Sequence, residues 1–356
     1  MATTERSAPV PGADGTLVLR PWRGPQDLPD MNRVANLVRR ASGDPNVSSV
    51  ADMASFYARF DPAVLPLDVV IVEADGLVVA YGRASWDDLS TGDGEIGAFM
   101  NIDPAWTGRG IEERLTGHAV RRAAALMATR GPEQVASLRM WIGDRAVEQQ
   151  RAAEAAGLRR VRAGAQMIRP SVDDIPDVAL PAGYEIRPIA ADDEPMLRRV
   201  WEADNRAFAE TWGHEAPTER AYRSWRASPS FDPPLWRVAF HGDDIAGQIL
   251  NYLGALEPDG QRTGFTEAIS VQPEHRRRGL ARALLAASLR AVRDAGATRA
   301  GLGVDSHNPN QAQALYASMG YEVVTVTYTY ELGPLPPGGQ GPAVHAVPAV
   351  RGEVTR

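Results

Sequence analysis

The sequence predicts a mixed α/β fold built twice in tandem. Three observations carry that reading. First, "LVLRPW" at residues 17–22 is echoed by "YEIRPI" at 184–189, and "IDPAWTGRGIEERL" at 102–115 by "VQPEHRRRGLARAL" at 271–284. In the longer pair Pro104 matches Pro273, Gly110 matches Gly279 and Leu115 matches Leu284, each 169 residues apart, while the shorter pair is 167 apart. Second, both copies place alternating apolar stretches beside segments with a helical apolar stripe. Third, "PSVDDIPDVALPAG" at 170–183 follows neither pattern and reads as a boundary between the copies.

In chain order, the first copy has strands at 69–73 and 77–83, a helix over 110–130, a strand at 136–141 and a helix over 146–156. The second has a helix over 195–208 and strands at 236–240 and 245–253 joined by the turn "HGDD". Residues 265–272 alternate Phe265, Glu267, Ile269 and Val271 against Thr266, Ala268 and Ser270, the signature of a strand. Leu280, Leu284, Ala287 and Ala291 then form one stripe of a helix closed by Gly296. A strand at 299–304, a helix over 309–319 ended by Gly320 and a β-rich run at 321–331 complete the copy. The implied domains are 17–169 and 184–332, with a flexible 1–16, a linker at 170–183 and a disordered Pro/Gly-rich tail at 333–356.

A chain of 356 residues with 44% hydrophobic residues suits about two domains at roughly 150 residues each. The absence of a signal pattern or long apolar run implies a soluble cytoplasmic protein with no membrane partner. All 38 cationic residues are Arg, and there is no Cys. Disulfides, thiolate metal sites, a cysteine nucleophile and a Schiff-base lysine are thereby excluded. The six His are scattered without metal-ligand spacing, so no metal is expected, and a net charge of −7 argues against a nucleic-acid partner.

The stretch "VQPEHRRRGLARALL" sets three arginines where a helix begins. A helix N-terminus already carries partial positive charge and unpaired N–H groups, so further cations there suit a bound anion. Gly279 lets the backbone turn, and the amides around residues 277–281 can converge on a pyrophosphate. The competing reading is a solvated basic loop.

Arg276-x-x-Gly279-x-Ala281 after "ISVQP" resembles the acetyl-CoA-binding motif Q/R-x-x-G-x-G/A of the GCN5-related N-acetyltransferases (GNAT). "NPNQAQALYASMGYEVV" at 308–324 resembles that family's closing segment. Together these cover nearly all of residues 184–331. The tandem arrangement is similar to that of mycothiol synthase and its actinobacterial relatives. The resemblance implies two tandem GNAT-like α/β domains, acetyl-CoA as cosubstrate and a small-molecule amine as acceptor. It implies that Ile269, Ser270 and Val271 pair with the pantetheine arm, where this strand and the next splay apart. Arg276, Arg277, Arg278, Gly279, Leu280, Ala281 and Arg282 would hold the pyrophosphate, and Asn308 would contact the coenzyme.

Acetyl transfer needs a neutral amine and a proton for the departing thiolate. Glu267, on the face shared with Ile269 and Val271, is the candidate base, against a reading as a surface strand carboxylate. Tyr316 matches the Leu-Tyr position whose hydroxyl approaches the coenzyme sulfur in this family, against a reading as a core aromatic. Glu202, Asp204, Glu210, Trp212 and Glu215 either greet a cationic acceptor or form a solvated helix end. The first copy has Thr107 opposite Arg276, Glu112 opposite Ala281 and Ala153 opposite Tyr316, and is expected to be non-catalytic, either covering the substrate side of the second or binding coenzyme without turnover. Mycothiol synthesis proper and a non-enzymatic acyl-CoA sensor are the alternative functions.

Overall fold

Each strand and helix read from the sequence has a counterpart in the computed structural model, which describes residues 16–43, 47–88, 94–131, 134–209, 218–228, 230–257, 259–305 and 312–335, and the first copy has further elements before residue 69, at 94–102 and at 159–169. The first copy runs β1 (Leu17–Pro21), α1 (Leu28–Ser42), α2 (Val50–Tyr57), α3 (Leu65–Asp68), β2 (Val69–Ala74), β3 (Leu77–Asp88), β4 (Gly94–Ile102), α4 (Ile111–Ala128), β5 (Ala136–Gly143) and α5 (Val147–Ala155). After β6 (Arg159–Arg169) the second runs β7 (Glu185–Arg187), α6 (Glu194–Phe208), α7 (Glu219–Arg226), β8 (Arg237–His241), β9 (Asp244–Leu256), β10 (Arg262–Val271), α8 (Leu280–Asp294), β11 (Arg299–Asp305), α9 (Ala312–Ser318) and β12 (Glu322–Leu335).

The chain divides into two compact units, one reaching Arg162 and resuming at Thr327, the other spanning Ala163–Val326. In the first, β1, β2, β3, β4 and β5 neighbour one another in that order, and residues 327–335 of β12 pair antiparallel with β5. In the second, residues 164–169 of β6 pair antiparallel with β11, followed by β10, β9, β8 and β7. Each sheet has one parallel step, β4–β5 and β10–β11, bridged by the crossover helices α4 and α8.

These divisions differ from the boundary expected at 170–183. Each half of the sequence lends a strand to the other unit's sheet, and a strand exchange leaves no local mark on composition. The stretch read as a linker is anchored: Val172 is buried, and Ile175, Val178 and Leu180 pack against the second unit's core. Helices cover both faces of that sheet. Leu280, Leu284, Leu285 and Leu289 of α8 pack on one side. Leu197 and Val200 of α6, with Trp236 and Phe240, pack on the other.

Candidate active site

The site grows from a defect in β10. Thr266 pairs with Asn251 and Ala268 with Leu250, so Glu267 is an extra residue on its strand, a β-bulge. The parallel ladder to β11 also ends early, at Thr266 opposite Leu302, although β10 continues to Val271 and β11 to Asp305. Beyond that pair the backbone edge of β10 facing β11 has lost its ladder partner. Unpaired strand groups need partners, and an extended chain bearing amides supplies them.

The bulge corrects the face assigned to Glu267. Alternation would set it beside Ile269 and Val271, which pack with the α8 core. An inserted residue breaks the period of two, and the Glu267 carboxylate instead accepts from Ser230 Oγ at 3.1 Å, next to Phe231 of the cluster that holds Ala268. Its surroundings desolvate it and hold its carboxyl above the usual range, against the lowering effect of that hydrogen bond.

At the far end of the open edge, residues 273–275 form a short 3-10 turn, Arg277 and Gly279 take left-handed backbone (φ 61° and 80°), and α8 begins with no side chain capping it. The N–H groups of residues 277–282 have no hydrogen-bond partner among the described residues. Ala281 is too short to reach back to them. Arg277, Arg278 and Arg282 are exposed around the loop. Open amides at a helix N-terminus with cations beside them can hold a pyrophosphate. Arg276 acts differently from its neighbours: its guanidinium donates to the carbonyls of Val271 (3.0 Å) and Ala207 (3.2 Å), fixing the loop against the end of α6.

Three more side chains tie α6 to this region. Gln272, fully buried, donates to Ala203 O and accepts from Arg206. Gln248, also fully buried, donates to Val200 O at 3.0 Å and to Asp204 at 3.3 Å, and Ser270 Oγ donates to Asp204 at 2.9 Å. Asp204 is thus held against Ser270 of β10, with Glu267 close enough to repel it. Desolvation outweighs its two hydrogen bonds and pushes its carboxyl up to about 6. Sequence reading named Asp204 only as one acidic residue among several; the buried glutamines that position it carry no signal in a single sequence.

Tyr316, on the short α9, is 6% exposed and packs in the cluster that Ile269 and Val271 join. Burial pushes its phenol up to about 12, and its hydroxyl has no protein partner among the described residues. Asn308, Glu210, Trp212 and Glu215 lie outside the described residues. Among the described residues no group of three or more His, Asp or Glu could hold a metal ion, and no helix is long and apolar enough to cross a membrane.

A sheet whose fourth and fifth strands part, with a bulge on the fourth and a glycine-led loop into the crossover helix, defines the GCN5-related N-acetyltransferase fold. Comparison with known proteins gives the same class. The sequence profile of the Acetyltransferase (GNAT) family matches residues 197–321. A mycothiol acetyltransferase of Thermomonospora curvata is 31% identical over 82% of this chain and 95% of its own length. One from Salinispora arenicola is 30% identical over 83% of this chain and 91% of its own. A GCN5-related N-acetyltransferase from Sphaerobacter thermophilus superimposes with a TM-score of 0.72 at 23% identity, covering 88% of this chain and 95% of that one. A tandem GNAT protein from the clavulanic acid biosynthesis pathway does so with a TM-score of 0.61 at 18% identity, covering 90% and 99%. The chain belongs to the GNAT acetyltransferase family and is an N-acetyltransferase, which sets aside the sensor reading.

Proposed function

We propose that the protein transfers an acetyl group from acetyl-CoA to the amine of a small molecule, and that the reaction takes place in the second unit. The observation that carries this reading is the coincidence, on one strand, of the ladder break at Thr266, the bulge at Glu267 and the open amide loop at 277–282. The edge of β10 over 269–271 suits an amide-bearing arm, and the loop suits its pyrophosphate. The thioester supplies the acetyl group.

The remaining chemistry falls to three side chains. Glu267 and Asp204 both hold protons more tightly than ordinary carboxyls. A carboxylate of that kind attracts an incoming ammonium and is a stronger base toward it near neutral pH. Glu267, on the bulge and more exposed, is the residue assigned to take the amine proton, directly or through water. Asp204 adds negative potential behind it. Tyr316 is assigned to donate a hydrogen bond to charge growing on the departing sulfur.

Isothermal titration with coenzyme A, followed by thiol release over a panel of amines, tests the assignment. Binding without thiol release from any amine would contradict it. The names of the relatives support a second reading of the acceptor, the cysteinyl glucosaminyl-inositol of mycothiol synthesis. Including that amine in the panel decides between it and other small amines.

A further inference from the structure

The first unit keeps the anion loop and fills it with a side chain of its own. The two loops share a backbone. Pro104–Trp106 form a 3-10 turn where Pro273–His275 do. Gly108 (φ 76°) stands where Arg277 (φ 61°) does, and Gly110 (φ 78°) where Gly279 (φ 80°) does. The 18-residue α4 follows just as α8 does. The strands part here too: the β4–β5 ladder ends at Ala98 opposite Met140, while β4 runs on to Ile102. The first loop also carries Thr107, Gly108 and Glu113 where the second has Arg276, Arg277 and Arg282, but the residue that reaches into its amides is Glu112, in place of Ala281. Glu112 is 1% exposed, and its Oε1 accepts from the Gly108 N–H at 2.9 Å. That amide is the counterpart of Arg277 N–H, the first of the open series in the second unit. The other carboxyl oxygen, Oε2, is buried with no hydrogen-bond partner.

A Glu in a first helical turn that bonds an upstream N–H is commonly a cap, yet caps sit in water where their second oxygen is solvated. Burying a carboxyl with one oxygen unpaired is unfavourable, so capping alone does not account for it. We infer that Glu112 is an internal occupant of the first unit's coenzyme loop, a carboxyl standing where a phosphate would lie, so that residue 112 and its counterpart 281 decide which unit binds coenzyme. This rests on the reading that the second unit holds acetyl-CoA through its own loop.

Exchanging the two residues in the full-length chain tests the inference, with coenzyme A as the titrant up to millimolar concentration. The unaltered protein should bind one coenzyme per chain. Glu112→Ala should bind two, with thiol release per chain unchanged, because the new site lacks a counterpart of Tyr316. Glu112→Ser, better suited to a helix start, should do the same and serves if the alanine variant does not fold. Ala281→Glu should lose about 100-fold or more in affinity by placing a carboxylate against the pyrophosphate. The double exchange should bind one coenzyme and release no thiol. Two coenzymes on the unaltered chain, or one on a folded Glu112→Ala or Glu112→Ser chain, would overturn the inference while leaving the second-unit site intact. Undiminished binding and turnover in Ala281→Glu would overturn the parent reading instead.

Discussion

Replacing Tyr316 with Phe removes one oxygen from a buried ring and should separate catalysis from everything else the residue does. The side chain is 6% exposed in a core that includes Leu280, Leu284 and Met319. Its hydroxyl has no protein partner among the described residues, so the Phe variant orphans no buried group and should unfold at the same temperature or slightly higher. Burial holds the phenol at about 12, so it stays protonated through any practical assay range. The same burial makes it a weaker acid than an ordinary thiol at about 8.5. Complete proton transfer to sulfur is therefore uphill, and the contribution is hydrogen-bond donation to growing charge. That places the expected loss at the low end of general-acid effects, about 100-fold in kcat, or about 2.7 kcal/mol of barrier. Thiol release under saturating acetyl-CoA and amine measures kcat, and coenzyme titration measures affinity, which should move by less than about twofold. A kcat within about twofold of the unaltered enzyme would remove Tyr316 from the reaction and leave it a core aromatic.

Asp204→Asn should stabilise the protein at neutral pH. Because the folded-state carboxyl sits near 6, above its ordinary 3.8, folding costs nothing extra from this group below about pH 4, and the penalty accumulates as pH rises through 6. The variant's thermal stability should gain up to about 3 kcal/mol at pH 8 and almost nothing at pH 4; an equal gain at both would show that the charge is not the cause. In the unaltered enzyme kcat/KM should rise as pH passes 6, and this limb should shift in the Asn variant. Arg276→Ala removes the bonds to Val271 and Ala207 carbonyls and should weaken coenzyme binding about tenfold with kcat retained at saturation. Gly264→Ala would put a Cβ 2.5 Å from Val292 Cβ, where α8 crosses β10, and should cost about 1–3 kcal/mol in urea unfolding. Val292→Ala in the same chain should recover part of that loss; no recovery would place the strain elsewhere.

Much of the second unit's scaffold was legible residue by residue. The stripe of Leu280 and Leu284, the closing glycines and the alternation around Ile269 each follow from a local period, and the corresponding elements formed. Elements with a mixed or interrupted pattern were not anticipated. β4, "GEIGAFMNI", carries two glycines, and β6, "RRVRAGAQMIR", shows its partner only through distant pairing with β11. The bulge escaped because alternation through Thr266, Glu267 and Ala268 looks regular in the sequence, while the inserted residue is defined only against Asn251 and Leu250 across the ladder.

By itself the sequence determined the paired motifs at 102–115 and 271–284, the glycine-led loop into a helix in each, and the glutamate at 112 opposite Ala281. These are local facts: a glycine needing left-handed backbone, a helix start and the presence or absence of a carboxyl within a few residues. Tertiary structure alone decided that the copies exchange strands, that Arg276 braces the loop instead of facing solvent, and that Asp204 lies desolvated against Ser270. Strand pairing, desolvation and side-chain direction depend on groups tens of residues away, and a linear pattern holds no record of which of them will meet.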